Sequence, residues 1–209
     1  MTIEQILIET TNNLSSISDT PRLDAEVLLA FVLKMDRSRL ILRRADTLSR
    51  AEEQIFFELV KRRSIGEPVA YITGSKEFWG LDFKVDSSVL IPRPETELIV
   101  EQVLNVVPKL PPPLSILDLG TGSGILPVTI SKELIKREIG FSCVAIDLSS
   151  QALEVAKNNA KVHGVDDRID FLTGSWFEPV SSFEEGFNII MANPPYVPEN
   201  DPSVSLGTK

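Results

Sequence analysis

Of the 209 residues only one is cysteine, Cys143, and only one is histidine, His163. A single thiol excludes an internal disulfide, and one Cys with one His cannot build a Cys/His zinc site within the chain, so no metal is expected. Positive charge is also scarce: 21 Lys and Arg stand against 30 Asp and Glu, a net charge of −9. That balance argues against a protein that holds nucleic acid mainly by neutralising phosphates. No stretch approaches the roughly 20 apolar residues that span a bilayer, and the start MTIEQILIETTNN has no Lys or Arg to open a signal or transit peptide. The expectation is a cytoplasmic protein with a reduced thiol and no membrane partner. What is present, 43% hydrophobic and 24% charged residues, is ordinary for a folded chain and far from the composition of disorder.

The first 90 residues carry 12 basic and 14 acidic side chains, the remainder 9 and 16, which divides the chain into regions of different character. Helix punctuation dominates the first. Thr20 before Pro21 is a cap and first-turn pair, with Leu23, Val27, Ala30, Phe31 and Lys34 expected to form its inner face. Ser49 with Glu52 makes a capping box, Ile55, Phe56, Leu59 and Val60 supply a stripe, and Gly66 before Pro68 stops that helix. Residues 1–66 are read as a helical bundle and residues 67–94 as a connector whose KEFWGLDFKV forms a hairpin around Gly80. In residues 95–209 a helix starts near Glu95, with Leu98, Ile99, Val103 and Leu104 on one side, and a stiff Pro-rich run follows. Strands are expected over residues 114–119, 141–147, 169–172 and 187–192, and helices over 124–138 and 150–163. Such alternation predicts an α/β parallel sheet with ligands at the carboxyl ends of the strands.

The segment ILDLGTGSG places Asp118, Gly120, Thr121, Gly122, Ser123 and Gly124 where the first of these strands meets its helix. Glycines there permit a tight turn and let a ligand approach free backbone N–H groups at a helix start. Asp147 ends the next strand, where a carboxylate accepts ribose hydroxyls of an adenosine cofactor, NAD or S-adenosylmethionine. The GxGxG spacing and the upstream acid Asp118 favour S-adenosylmethionine, whose cationic groups gain nothing from a phosphate cradle. The fourth strand runs into Asn193, Pro194, Pro195 and Tyr196, the most specific signal in the chain. Two acceptors, the Asn193 side-chain oxygen and the Pro194 carbonyl, suit a planar NH₂ group, whose lone pair must localise before it attacks a methyl, and the Tyr196 ring packs on the flat acceptor. In-line transfer from a sulfonium needs positioning more than a strong base.

With these residues in place the chain resembles the HemK/PrmC family, the protein-(glutamine-N5) methyltransferases that act on peptide chain release factors. The likeness runs from DAEVLLA (residues 24–30) through GEPVAYITG (66–74), KEFWGLDF (76–83) and IPRPETE (91–97) to DLGTGSG and NPPY, and so covers nearly the whole chain. NPPY alone is shared with amino-methyltransferases of DNA and RNA bases; IPRPETE with KEFW and a helical N-terminal region is narrower. The resemblance implies a Rossmann-like class I S-adenosylmethionine-dependent methyltransferase fold with an N-terminal helical domain. It implies cofactor contacts at residues 120–124, Asp147, Trp176 and Asn193, with S-adenosyl-L-homocysteine as product. Glutamine would be bound by residues 193–196, beside Arg93 and Glu95, which shape the site. The implied substrate is the glutamine of the GGQ loop in class 1 release factors, whose methylation modulates translation termination, with the helical domain docking that partner, no direct nucleic acid required, and a monomeric complete protein.

The remaining features have plainer readings. Arg37, Arg39, Arg43, Arg44, Lys61, Arg62 and Arg63 are expected to be a solvated face, a partner surface being the alternative. His163 reads as structural at a helix C-terminus, Cys143 as a buried small hydrophobe, and Trp79 as packing. Only four of the seven strands of a complete sheet are found before Lys209, so the chain is expected to be C-terminally incomplete. A nucleic-acid amino-methyltransferase, or an inactive cofactor- or release-factor-binding fragment, are the alternatives.

Overall fold

Reciprocal caps open two of the N-terminal helices. In α1 (Ile3–Leu14) the Thr2 hydroxyl accepts the Gln5 N–H at 3.3 Å while Gln5 Oε1 accepts the Thr2 N–H at 2.9 Å. In α4 (Arg50–Ser64) Ser49 and Glu52 form the expected box, at 2.7 and 3.3 Å, and those bonds hold the Glu52 carboxyl below its ordinary pKa. Between them lie α2 (Pro21–Leu33) and α3 (Arg37–Leu42), and α5 (Val69–Thr73) follows. The computed structural model describes residues 1–184 and 186–194, and its first unit is Met1–Gly74. The unit runs past the expected boundary at 66 because Val69 and Ile72 of α5 join the cluster of Ile6, Leu7, Leu28, Leu29 and Phe56.

The expected inner faces need correcting. Leu23 and Phe31 of α2 are 39% and 48% exposed, and Ala25, Leu28 and Leu29 are buried instead. In α4 Ile55 is half exposed while Phe56 and Val60 are inside. The segment PRLDAEVLLAFVL is apolar nearly all round, so its periodicity does not single out one face. Five of the seven basic residues are paired within the unit: Arg37 with Glu26, Arg43 with Asp46, Arg44 with Glu4, Arg62 with Glu67 and Arg63 with Asp24. All but Arg63 are exposed, as on a solvated face.

One of these pairs is internal. Asp24 is 9% exposed, and its Oδ2 accepts from Arg63 Nε at 2.7 Å and from the Ser18 hydroxyl at 2.8 Å, so it holds the start of α2 to the end of α4. Removing one partner strands the other charge in a poorly hydrated site. Asp24→Ala is therefore expected to lower the unfolding free energy of this unit by about 2–3 kcal/mol. Chemical denaturation checks this; a loss no larger than that of an exposed pair such as Arg43–Asp46 would contradict it.

The second unit begins at Ser75. Its hairpin pairs β1 (Ser75–Phe78) with β2 (Leu81–Lys84) antiparallel. Trp79 and Gly80 between them have φ of 55° and 71°, the two left-handed residues of a turn that matches strand twist. The strain at Trp79 is offset by Glu97, which accepts its N–H at 3.1 Å. His163 closes the other side: its ring lies 5.0 Å from that of Phe83 and a ring nitrogen is 2.9 Å from the Asp82 carbonyl oxygen. The structural reading of this histidine holds, through contact with the hairpin.

After a single 3-10 turn over Pro94–Thr96 comes α6 (Glu97–Val106), whose buried residues are Val100, Val103 and Leu104, with Leu98 58% exposed instead of inside. Then β3 (Leu114–Leu119), α7 (Ile125–Lys136), β4 (Phe141–Asp147), α8 (Ser150–Val162), β5 (Ile169–Thr173) and β6 (Ile189–Ala192) alternate. The sheet is parallel in the order β5-β4-β3-β6, the Rossmann-like class I arrangement. β6 starts later than expected because the Asn188 amide oxygen accepts the Ser115 N–H at 2.7 Å, replacing a ladder bond with a side chain. Cys143 is buried in β4, and burial pushes its thiol pKa up, away from reactivity. The order reverses between β3 and β6, and a crevice opens at the carboxyl ends of strands at such a reversal.

Candidate active site

The loop after β3 is built around three glycines with positive φ: Gly120 at 70°, Gly122 at 54° and Gly124 at 78°. A Cβ added at Gly120 or Gly122 would meet nothing within 4 Å, whereas at Gly124 it would fall 2.9 Å from the Ala156 Cβ of α8. Two glycines thus face open space and the third lets α8 approach. The Gly120 and Thr121 N–H groups donate to the Ile146 carbonyl at 2.9 and 3.0 Å, anchoring the loop on β4.

Asp147, at the end of β4, completes the anchor. Its Oδ2 accepts the Gly122 N–H at 2.8 Å and its Oδ1 the Ser149 N–H at 2.9 Å, where α8 begins. Asn159, 1% exposed, has a similar part from below: its Oδ1 accepts the Lys84 N–H at 2.8 Å and its Nδ2 donates to the Ser123 carbonyl at 2.8 Å and to that of Lys84 at 3.0 Å. The sequence reading missed this residue, though an Asn on the face shared by Ala152, Ala156 and Ala160 of α8 is the signal that marks it.

The loop forms one wall of a cleft. Residues 120–123 line it with residues 90–93 of the IPRP segment and Asn193, which follows β6. Asn193 donates through Nδ2 to the Thr96 hydroxyl at 3.1 Å, and its Oδ1 has no partner among the described residues. The cleft therefore gathers Gly120, Thr121, Gly122, Ser123, Arg93 and Asn193 from the expected set. Gly124 serves packing instead, Glu95 is exposed outside the lining, and Trp176 is 60% exposed with φ of 47° and is not among the lining residues. Pro194 is half-buried next to Asn193. Pro195 and Tyr196 lie outside the described residues.

Beneath the glycines Asp118 is 1% exposed, and neither carboxylate oxygen has a hydrogen-bond partner among the described residues; the Thr121 hydroxyl beside it is equally unpartnered. Burial pushes the Asp118 carboxyl up to about 7, the nearby Thr121 hydroxyl opposing and the Asp147 charge adding to the rise. The folded chain thus holds a proton that the unfolded chain releases near pH 4. Stability from this group is greatest below about pH 4, falls as pH rises to about 7, and is level above, a total on the order of 4 kcal/mol. Asp118→Asn removes the titration. Its melting temperature relative to the parent chain is expected to climb from about pH 5 to about pH 8, as scanning calorimetry would show; a difference independent of pH would contradict the buried unpaired carboxyl.

A buried acid behind an open glycine cradle gains from a ligand that brings a cation and gains nothing from the pyrophosphate of a dinucleotide. S-adenosylmethionine, with its ammonium and sulfonium, fits these residues, and NAD does not.

Comparison with known sequences agrees. Residues 5–74 match the family model described as the PrmC N-terminal domain, and residues 96–209 match the Methyltransferase small domain. Proteins named release factor glutamine methyltransferase are similar over most of the chain. The one from Aliivibrio fischeri is 43% identical over 91% of this chain and 64% of its own length. That from Vibrio cholerae is 42% identical over 99% and 70%, and that from Coxiella burnetii 41% identical over 96% and 70%. The chain spans about two thirds of the length of these relatives. With a family model over each part of the chain and relatives 41% and 42% identical over nearly all of it, the chain belongs to the HemK/PrmC family of release factor glutamine methyltransferases.

Proposed function

We propose that this chain transfers a methyl group from S-adenosylmethionine to the side-chain amide nitrogen of a glutamine in a peptide chain release factor, the glutamine of the GGQ motif in class 1 factors. The observation that carries the reading is the shared cleft: the glycine loop after β3 and Asn193 after β6 face one another across the point where strand order reverses. When bound, the cofactor supplies an electrophilic methyl on a sulfonium. The chain's own residues supply position. Asn193 Oδ1 accepts one hydrogen of the glutamine NH₂ and the Pro194 carbonyl the other, so the nitrogen lone pair is turned toward the cleft and freed from amide conjugation; as the nitrogen gains the methyl, one of these hydrogens leaves as a proton to solvent and a neutral N-methyl amide remains. Residues 90–93 wall the cleft, while Asp147 and Asn159 hold the loop.

The helical unit serves as the docking body for the release factor, and the protein acts as a cytoplasmic monomer without nucleic acid or membrane. The names of the relatives and the acidic net charge of −9 support a protein substrate over a nucleic acid. Incubation with methyl-labelled S-adenosylmethionine and a release factor tests this. Label is expected on the factor and not on one with the GGQ glutamine changed to alanine. Label on that altered factor, or on added DNA or RNA instead, would overturn the glutamine assignment; cofactor binding without transfer would mark an inactive binding fragment.

A further inference from the structure

Asn193 has two ends of nearly the same shape, one a donor and one an acceptor. Rotation by half a turn exchanges them with little steric consequence. A glutamine NH₂ presents only hydrogens at the nitrogen to be methylated, so Asn193 assists transfer when Oδ1 faces the acceptor and obstructs it when Nδ2 does.

Thr96 lies beside this amide; its hydroxyl pairs with either end, so it fixes the side chain in place while the glutamine hydrogens, which only Oδ1 can accept, select the end. It is 4% exposed in a stretch whose other polar residues, Arg93 and Glu95, face solvent, and its hydroxyl is the partner of Asn193 Nδ2 at 3.1 Å. Its own position is firmly set. The Thr96 N–H donates to the Arg93 carbonyl at 3.0 Å in the 3-10 turn that Pro94 begins, and the adjoining Glu97 is tied to the Trp79 N–H at 3.1 Å. A β-branched side chain on a fixed backbone has few rotamers to lose. A buried hydroxyl left without a partner is unfavourable, so the bond resists breaking from both ends.

We propose that Thr96 is a positioning residue: its hydroxyl, bonded to Asn193 Nδ2, tethers the amide in the cleft so that its other end, Oδ1, is presented to the glutamine nitrogen. This rests on the glutamine-methyltransferase reading above. It also gives the IPRPETE segment a task that its charged members do not perform, because the side chain that reaches the NPPY motif is the threonine.

Thr96→Val keeps the shape and removes the hydroxyl, whereas Thr96→Ser keeps the hydroxyl. With the full chain, labelled S-adenosylmethionine and a release factor, Thr96→Val is expected to lower kcat by about 5- to 20-fold, the effect of one hydrogen bond felt in the transition state. KM for the factor and the calorimetric Kd for the cofactor should stay within about 2-fold. Thr96→Ser should recover most of the rate. An unchanged kcat in Thr96→Val, or a Thr96→Ser variant as slow as Thr96→Val, would overturn the proposal. A second measurement needs no activity and no change at Thr96: in the chain with 15N-labelled asparagine, the Asn193 side-chain NH₂, assigned by its loss in Asn193→Asp, should exchange with solvent more slowly than the NH₂ of exposed asparagines. Exchange as fast as theirs would refute the held amide even if the chain transferred methyl. Slow exchange in a chain that transfers none would leave the bond standing and put the glutamine reading at fault.

Discussion

Asn193→Ala is expected to lower the methyl-transfer rate by on the order of 10²- to 10³-fold, the loss typical of removing one preorganised polar group aimed at a reacting centre. An amide nitrogen is a poor nucleophile because its lone pair is delocalised into the carbonyl. Whatever holds its hydrogens out of the amide plane as the new bond forms lowers the barrier directly, and Asn193 Oδ1 is the side-chain acceptor that the cleft places there. Asn193→Asp should lose less, since the carboxylate retains an acceptor and its charge tolerates the positive charge that develops on the nitrogen. The effect should appear in kcat, with far smaller change in cofactor affinity, because the loop that holds the cofactor hangs from β3 and β4 and not from β6. Steady-state kinetics with a release factor separates the two. Equal rates for Asn193→Ala and the parent chain would remove Asn193 from the chemistry.

The second large effect concerns cofactor affinity. Asp147→Ala is expected to weaken S-adenosylmethionine binding by about 10²-fold, a difference of roughly 2.7 kcal/mol. Its carboxylate accepts two backbone N–H groups, from Gly122 at 2.8 Å and Ser149 at 2.9 Å. Each charge-assisted bond of this kind contributes about 1.5–3 kcal/mol. Losing both releases the glycine cradle from the start of α8. Asp147→Asn retains one oxygen and should fall between the two, about 10-fold weaker than the parent chain. Isothermal titration calorimetry checks both, and an Asp147→Ala chain binding within a factor of about two of the parent would contradict the anchoring role.

The sheet was legible from the chain because its strands are short apolar runs bounded by Gly, Pro and Asp. Residues 114–119 and 141–147 are strands in the positions expected. Glycine loop and strand-end acid were equally legible, since local turn chemistry determines which residues tolerate positive φ. The helix faces were harder. Leu23 and Phe31 satisfy a helical period and still face outward, because in a helix that is apolar on most sides, as α2 is, the neighbouring helices decide which stripe is buried; Ile55 and Leu98 are exposed too. The division of labour among the glycines was not legible either: Gly124 resembles its neighbours in sequence, and only the approach of Ala156 shows that it serves packing. Asn159 and Thr96 act through bonds to partners 75 and 97 residues away, and no local pattern encodes such a pairing.

Position without a strong base is the central claim: the chain methylates a glutamine by holding its NH₂ against Asn193 in the cleft shared with the glycine loop. The most direct measurement is mass spectrometry of a release factor incubated with this chain and S-adenosylmethionine, with fragmentation of the GGQ peptide. The account predicts the mass of one methyl group added to the glutamine side chain, and its absence when Asn193→Ala replaces the parent chain. A methyl group found on any other residue, or one equally abundant with the Asn193→Ala chain, would contradict it.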